Sequence, residues 1–151
     1  MGENEIRNLA DSHAGIDEWK KAGFNELQVL EITKGNDNGV DISIYASPEY
    51  NSRQMKVIRM ALEEGIDVSA MADPEYNYMQ MEQIKEGIKE GIDLSLICNP
   101  KYDYSVMREI RLALKYRFDL TRYARLGYSG EVLSASGYIA KVCFREHQEV
   151  H

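Results

Sequence analysis

Residues 36–41 read Asn-Asp-Asn-Gly-Val-Asp, and this segment comes closer than any other part of the chain to a metal-binding motif. An EF-hand calcium loop has carboxylates at its first and twelfth positions and a glycine at its sixth. If Gly39 is the sixth residue, Lys34 is the first and Tyr45 is the twelfth. Because neither residue is a carboxylate, calcium binding is not expected here.

The residues most often used for metal binding and nucleophilic catalysis are also poorly placed. His13, His147 and His151 belong to the terminal segments, and Cys98 and Cys143 are far apart, so no His or Cys cluster has the spacing of a metal site. No glycine-rich phosphate loop, G-x-S-x-G elbow or H-E-x-x-H motif is present. The sequence therefore predicts a non-enzymatic protein without cofactor or metal.

The most informative polar residues are Arg59, Lys85 and Arg111, which are 26 residues apart and repeat one position of the chain. One interpretation is a ladder, in which each base pairs with a carboxylate or helix carbonyl of an adjacent repeat, such as Asp67 or Asp93. The other is a row of cations that lines a partner-binding groove. Both require a repeated helix to position the three bases.

The chain is a tandem array with a period of 26 residues. Three prolines with similar neighbours mark the period: Pro48, Pro74 and Pro100. Three clear repeats occupy residues 39–116, a degenerate copy lies within 1–38, and a second degenerate copy with a C-terminal cap occupies 117–151. We expect residues 1–151 to form a single helical-repeat domain.

Each repeat predicts a short helix, a proline turn and a longer helix. An aspartate caps the short helix, of about one to two turns, which stops before the proline because the preceding residue disfavours helix. The longer helix begins at an Asn or Asp cap, with a glutamine three residues later in three copies, and a glycine ends it. An aromatic residue before each cap forms a hydrophobic staple with an apolar residue inside the helix.

The spacing of Met and Ile in the longer helices predicts one buried stripe, and the fold class is therefore all-α, a short α-solenoid of helix pairs. The degenerate copies would cap its ends with a polar outer face. Residues 129–148 are predicted as a terminal helix, and a β-hairpin over 132–144 is the alternative.

Four further side chains stand out where the repeats differ or expose apolar groups. Tyr78 and Tyr104 begin their helices and are either exposed anchors for a partner or packed on the preceding turn. Val57 and Met60 lie opposite the apolar stripe and predict an outward apolar spot. This spot would contact the N-terminal segment, another subunit or a partner.

The formal net charge is −7, but it is unevenly distributed. Residues 1–100 hold 9 Lys and Arg against 19 Asp and Glu, a net charge of −10, whereas residues 101–125 hold 7 against 3, a net charge of +4. Arg108 and Lys115 belong to this basic region, which would either bind an acidic partner or pair with the acidic neighbouring repeat. The acidic body argues against nucleic-acid binding. The chain has no long apolar run, so we expect no membrane association. We expect the protein to be cytoplasmic.

The pattern G-[IV]-D-[IVL]-S-x-x-[AC]-x-P-x-Y-[ND] and the M-x-x-I that follows, within residues 39–114, resemble short tandem helical repeats of uncharacterised proteins from gut bacteria and their mobile elements. The resemblance implies a binding or adaptor module without assigned catalytic residues. We therefore expect a protein-protein interaction module, and a homodimer is left open. The alternative is an acidic mobile-element inhibitor that mimics nucleic-acid charge on a host defence enzyme.

Overall fold

The computed structural model describes residues 2–137 and Arg145, and in these residues the protein is all-α. The long helices are α3 (Glu26–Asp37), α4 (Ser52–Glu63), α5 (Tyr78–Glu90) and α6 (Tyr104–Leu114). The shorter ones are α1 (Glu3–Asp11), α2 (Ile16–Lys21) and α7 (Thr121–Arg125), and residues 130–137 are helical as well. The predicted terminal helix is confirmed for residues 130–137. The rest of the segment for which a β-hairpin was the alternative lies outside the described residues, and so do Cys143, His147 and His151.

The predicted capping boxes begin the long helices. The Asn51 side chain accepts a hydrogen bond from the Gln54 N–H at 2.9 Å, and the Gln54 side chain accepts one from the Asn51 N–H at 2.8 Å. Asn25 with Gln28, and Asn77 with Gln80, repeat this geometry. Each box satisfies two backbone donors at the helix end that would otherwise lack a partner.

Glycine ends α3, α4 and α5, as predicted, whereas Arg117, with a φ of +58°, takes the left-handed position after α6. Gly65 has a φ of +74°, a left-handed conformation in which a side chain would be strained. The Gly65 N–H donates to the Leu62 carbonyl at 3.0 Å, and the Ile66 N–H donates to the Ala61 carbonyl at 3.0 Å. This is a Schellman motif, which satisfies the carbonyls left open at the end of α4.

The short helix is at or below the lower end of its predicted length wherever a proline follows it. Ile42–Ile44 and Leu94–Leu96 form a single 3-10 turn, within the one to two turns predicted, whereas residues 69–71 form only a turn. The degenerate copies carry Ala22 and Leu126 at the proline position, and there the segment is an α-helix, α2 or α7. The predicted helix is thus wrong for residues 69–71, and the prolines keep the other two copies short because the residue before proline avoids the helical conformation.

The aspartates that precede these turns cap them, as predicted. The Asp41 carboxylate accepts hydrogen bonds from the Ser43 hydroxyl at 2.6 Å and the Ser43 N–H at 3.2 Å. The Asp93 carboxylate contacts Ser95 in the same way, at 2.7 and 3.1 Å. The repeated Asp-x-Ser pattern therefore has a local structural role.

The core follows the predicted apolar stripe. Its fully buried side chains repeat every 26 residues, namely Met55, Ile58, Met81, Ile84, Met107 and Ile110. The chain divides into two compact units, Met1–Met81 and Glu82–His151, with the boundary inside α5. The sequence leads us to expect a single domain, and this stays a prediction. In repeat proteins each repeat contacts only its neighbours.

Candidate functional site

Arg59, the first of the repeated bases, is internal. Its side chain on α4 is only 7% exposed, and its Nε lies 2.8 Å from a Glu31 carboxylate oxygen on α3. Its Nη1 lies 2.6 Å from Glu63, one turn further along α4, and Glu63 also accepts a hydrogen bond from the Asn38 amide at 2.7 Å. Arg59 thus joins two successive long helices.

These contacts shift the ionisation of both groups. Burial acts to lower the pKa of Arg59, but its hydrogen bonds to Glu63 and Glu31 outweigh burial and raise that pKa. Two hydrogen bonds lower the pKa of the Glu63 carboxyl: the one from the Asn38 amide has the larger effect and the one from Arg59 the smaller. Both groups are therefore charged at neutral pH, as a structural ion pair requires.

Arg111 occupies the equivalent position on α6 and is buried as well. Its Nη1 lies 2.6 Å from Glu90, its Nε donates to the Gln83 side chain at 3.2 Å, and Lys115 also contacts Glu90, at 2.8 Å. Gln83 precedes Arg111 by 28 residues, the same separation as Glu31 from Arg59. The contact between neighbouring long helices therefore recurs in the same register.

The ladder interpretation describes Arg59 and Arg111, but the partners suggested from sequence are wrong. Asp67 and Asp93 cap the following turns instead, where they accept N–H hydrogen bonds from Ser69 and Ser95. Lys85, the middle base, is half-buried. A groove needs exposed cations, which Arg59 and Arg111 do not supply.

The two tyrosines at helix starts are covered by arginines. The Arg53 guanidinium lies 5.2 Å from the centre of the Tyr78 ring, and that of Arg108 lies 5.9 Å from the Tyr104 ring. Such cation–π contacts contribute about 0.5–1 kcal/mol at exposed sites. Tyr104 and Arg108 remain exposed and accessible to a partner.

The predicted outward apolar spot is only half correct. Met60 is exposed, but Val57 is buried, because its position faces the neighbouring repeat. Val57 occupies the position of Glu31 and Gln83, which contact the repeated arginines. A partner cannot use Val57 without unfolding α4.

Two exposed leucines on α3 were not predicted from the sequence. Leu27 is 62% and Leu30 is 47% exposed, and their spacing of three residues places them on one face of the helix. The repeat alignment holds the signal that could have revealed them, because α4 has Arg53 and Lys56 at the same positions.

These leucines belong to a larger outward surface of α3 and α4, two helices that pack against each other. Lys34 and Met60 share a third outward position, one further turn along each helix. All six side chains are exposed, and together they form what we call the α3–α4 surface: Leu27, Leu30, Lys34, Arg53, Lys56 and Met60. It combines three apolar side chains with three cations in an otherwise acidic part of the chain.

Other kinds of site find little support in the part of the chain that the structure describes. No three His, Cys, Asp or Glu side chains come together there to hold a metal ion, and none of its helices is long and apolar enough to cross a membrane. A cleft of about 170 Å³ lies between α1, α2 and α3, with His13, Trp19 and Asp37 in its wall. It is smaller than the roughly 300–1,000 Å³ of a typical ligand pocket. Larger depressions, of about 310 to 520 Å³, lie beside α1 and at the ends of α3 and α4, but they are wide open to solvent.

Comparison of the chain with protein-family models, with curated proteins and with solved structures finds no match. The resemblance to mobile-element repeats therefore stays a prediction, and the function has to be argued from the chain itself.

Proposed function

We propose that the protein is a non-catalytic helical-repeat module that binds another protein through the α3–α4 surface. The observation that carries this proposal is the exposure of Leu27, Leu30 and Met60 on adjacent helices. Contiguous apolar patches with a polar rim are typical of interaction sites on soluble proteins, whereas single exposed apolar residues are not.

The composition of the surface suits a protein partner. Covering a half-exposed leucine or methionine contributes about 1–2 kcal/mol, so the three apolar residues together supply roughly 3–6 kcal/mol. Lys34, Arg53 and Lys56 surround them and favour an acidic partner, because complementary charge raises the association rate and selects between partners.

We further propose that the repeats stack as an α-solenoid, which would place the outward faces of successive long helices side by side. Two contacts within Met1–Met81 support this stacking. The Gln28 amide donates to the Tyr50 carbonyl, and the Gln54 amide donates to the Tyr76 carbonyl, both at 2.6 Å. The same glutamine that completes a capping box thus also holds the next copy.

The acidic-inhibitor alternative finds less support. Such an inhibitor needs exposed, unpaired carboxylates, and Glu31, Glu63 and Glu90 are already paired with Arg59 or Arg111. Exposed carboxylates elsewhere, such as Asp73 and Glu75, would have to make the contact. Binding to host nucleases in rising salt tests this alternative, since a contact that mimics nucleic-acid charge weakens steeply as charges are screened.

The proposal is tested by affinity capture with the wild type and the double variant Leu27→Glu/Leu30→Glu. Both leucines are exposed, and glutamate near a helix N-terminus is favourable, so we expect α3 to stay folded. The matched control is Ile16→Glu, which replaces an exposed apolar residue (48% exposed) on α2. We expect a partner that binds the wild type and the control but not the double variant; a partner retained by all three would refute the α3–α4 surface.

A further inference from the structure

The α3–α4 surface consists of two rows of side chains, one on each helix. In each row the residues follow one another at steps of three and then four positions, which keep them on one face of the helix. The α3 row is Leu27, Leu30 and Lys34, and the α4 row is Arg53, Lys56 and Met60. Each row therefore presents three exposed side chains to a partner.

Two contacts show how α3 and α4 are aligned. Glu31 pairs with Arg59, 28 residues later, at 2.8 Å, and the Asn38 amide donates to Glu63, 25 residues later, at 2.7 Å. The two helices therefore run parallel, and residues 26 positions apart lie side by side. Because the α3 row and the α4 row are separated by this distance in the sequence, they are level with each other.

The two rows differ in chemistry where they begin. Leu27 and Leu30 form an apolar edge, and Arg53 and Lys56 form a basic edge directly beside it. The Arg53 guanidinium lies 5.2 Å from the centre of the Tyr78 ring, and a side chain that is already held in place loses less freedom when it meets a carboxylate. The surface thus complements a partner that has apolar side chains next to carboxylates.

The positive charge of this surface is concentrated in the α4 row. Lys34, the cation of the α3 row, lies 3.5 Å from Glu31 and is partly neutralised by it. Glu26, next to the first leucine of the α3 row, already lies 2.8 Å from Lys20. The carboxylates of a partner are therefore attracted to the α4 side of the surface.

The sequence confines this combination to α3 and α4. At the equivalent positions α5 has a methionine and two glutamates, and α6 has a serine, an arginine and a leucine. These residues are Met79, Glu82, Glu86, Ser105, Arg108 and Leu112. The site is therefore about 10 Å long, because seven residues separate the first and third positions of each row and each residue rises about 1.5 Å.

We propose, on the basis of the proposed protein-binding function, that the segment bound by the α3–α4 surface is an acidic amphipathic helix. This helix lies along the two rows, with its apolar side chains on Leu27 and Leu30. Its carboxylates lie beside Arg53 and Lys56, and Met60 extends the apolar contact at the far end.

The spacing of the rows favours a helix over an extended segment. Side chains on one face of a helix are three or four residues apart, about 4.5–6 Å along the axis, and both rows have this spacing. Side chains on one face of a strand are about 6.6–6.8 Å apart. A strand is also usually bound by adding to a sheet edge, which two packed helices do not offer.

Titration of the isotope-labelled full chain with synthetic peptides, followed by NMR, tests this partner class. The probe is a peptide of about 14 residues, or four helical turns, with leucines on one face and glutamates on both flanks of that face. One comparison peptide has lysines in place of the glutamates, and a second has the same composition in an order that breaks the helical spacing. We expect the glutamate peptide to shift the amide signals of α3 and α4 with a dissociation constant of about 0.1–1 mM. Both comparison peptides should bind at least tenfold more weakly.

Charge reversal on α4 tests the orientation of the bound helix. Arg53→Glu/Lys56→Glu should weaken binding of the glutamate peptide at least tenfold and should strengthen binding of the lysine peptide. The matched control is Arg122→Glu/Arg125→Glu, which reverses two exposed arginines with the same spacing on α7 and should leave the binding of both peptides unchanged. Circular dichroism of each variant verifies that the helices remain.

Several outcomes would overturn the acidic helix. One is that the glutamate peptide does not bind, binds no better than the lysine or the reordered peptide, or shifts signals outside α3 and α4. Another is binding to phosphatidylserine vesicles that Arg53→Glu/Lys56→Glu abolishes, which would assign the surface to a membrane. The proposed function survives these failures if a captured protein still requires Leu27 and Leu30, whereas capture that does not depend on the two leucines refutes that function itself.

Discussion

Replacing Arg59 with methionine tests how the repeats are held together. The substitution keeps most of the side-chain volume but leaves Glu31, only 6% exposed, with the exposed and more distant Lys34, at 3.5 Å, as its remaining cation. Removing one partner of a buried ion pair costs up to about 3–5 kcal/mol, because the remaining charge has lost most of its compensation. For a chain of this size, such a loss lowers the melting temperature by roughly 10 °C.

The assay is urea and thermal unfolding, followed by circular dichroism at neutral pH, with two comparison variants. Arg53→Met removes an exposed arginine from the same helix and should cost less than about 1 kcal/mol, the size of its contact with Tyr78. Glu31→Leu/Arg59→Met replaces the whole pair with apolar groups and should recover most of the loss. The reasoning fails if Arg59→Met costs no more than Arg53→Met, or if the double variant is the least stable of the three.

Three other predictions concern the contacts between and within repeats. The hydrogen bonds from the Asn38 amide and from Arg59 hold the pKa of the Glu63 carboxyl below its ordinary value, so the stabilising contribution of Glu63 is complete above that ordinary pKa and is lost as the pH falls through the folded pKa. Glu63→Gln should flatten that part of a stability–pH curve, and an unchanged curve would contradict the assignment. Gln54→Ala should cost about 1–3 kcal/mol in urea unfolding because it leaves the Tyr76 carbonyl without its donor. Gln54→Glu keeps an acceptor for the cap but not the donor, and it should be destabilising too. If Gln54→Glu leaves the stability unchanged, only the cap matters. Gly35→Ala should lose about 1–3 kcal/mol despite a better helix propensity, because its Cβ would overlap the Tyr45 hydroxyl. Tyr45→Phe removes that overlap but also the buried hydrogen bond from the hydroxyl to the Glu31 carbonyl, so the double variant is compared with Tyr45→Phe alone. Gly35→Ala should cost much less in that background, and an equal cost would assign the effect to another neighbour.

Much of the fold follows from residue types close together in the chain. An Asn followed three residues later by a Gln specifies a helix start through hydrogen bonds within four residues, and both partners are visible in the sequence. The same holds for Gly65, whose left-handed conformation ends α4. Such features repeat every 26 residues, so the sequence contains several independent copies of each signal.

The contacts between repeats were harder to predict, because they join residues more than 20 positions apart. The partner of Arg59 is Glu31, 28 residues earlier, and local spacing does not distinguish it from the suggested Asp67. Val57 was misplaced for a related reason. A helical wheel assumes one buried stripe, whereas a helix packed beside another repeat also buries a flank.

The proline turns depend on a local signal instead. The sequence predicts a helix of one to two turns before each proline, and the chain forms a single 3-10 turn before Pro48 but only a non-helical turn at residues 69–71, before Pro74. The copies with Ala22 or Leu126 instead of proline form α-helix at this position. Whether this one position of the repeat is a proline therefore indicates whether the segment before it forms a turn or an α-helix.

The central claim is that the α3–α4 surface binds a protein partner, and the most direct test is the affinity of a captured partner for matched variants. With the partner purified, isothermal titration should show the dissociation constant rising about 100-fold in Leu27→Glu/Leu30→Glu, the loss of roughly 3 kcal/mol of apolar contact. Ile16→Glu should leave the constant unchanged. Equal affinity of the wild type and the double variant would contradict the claim.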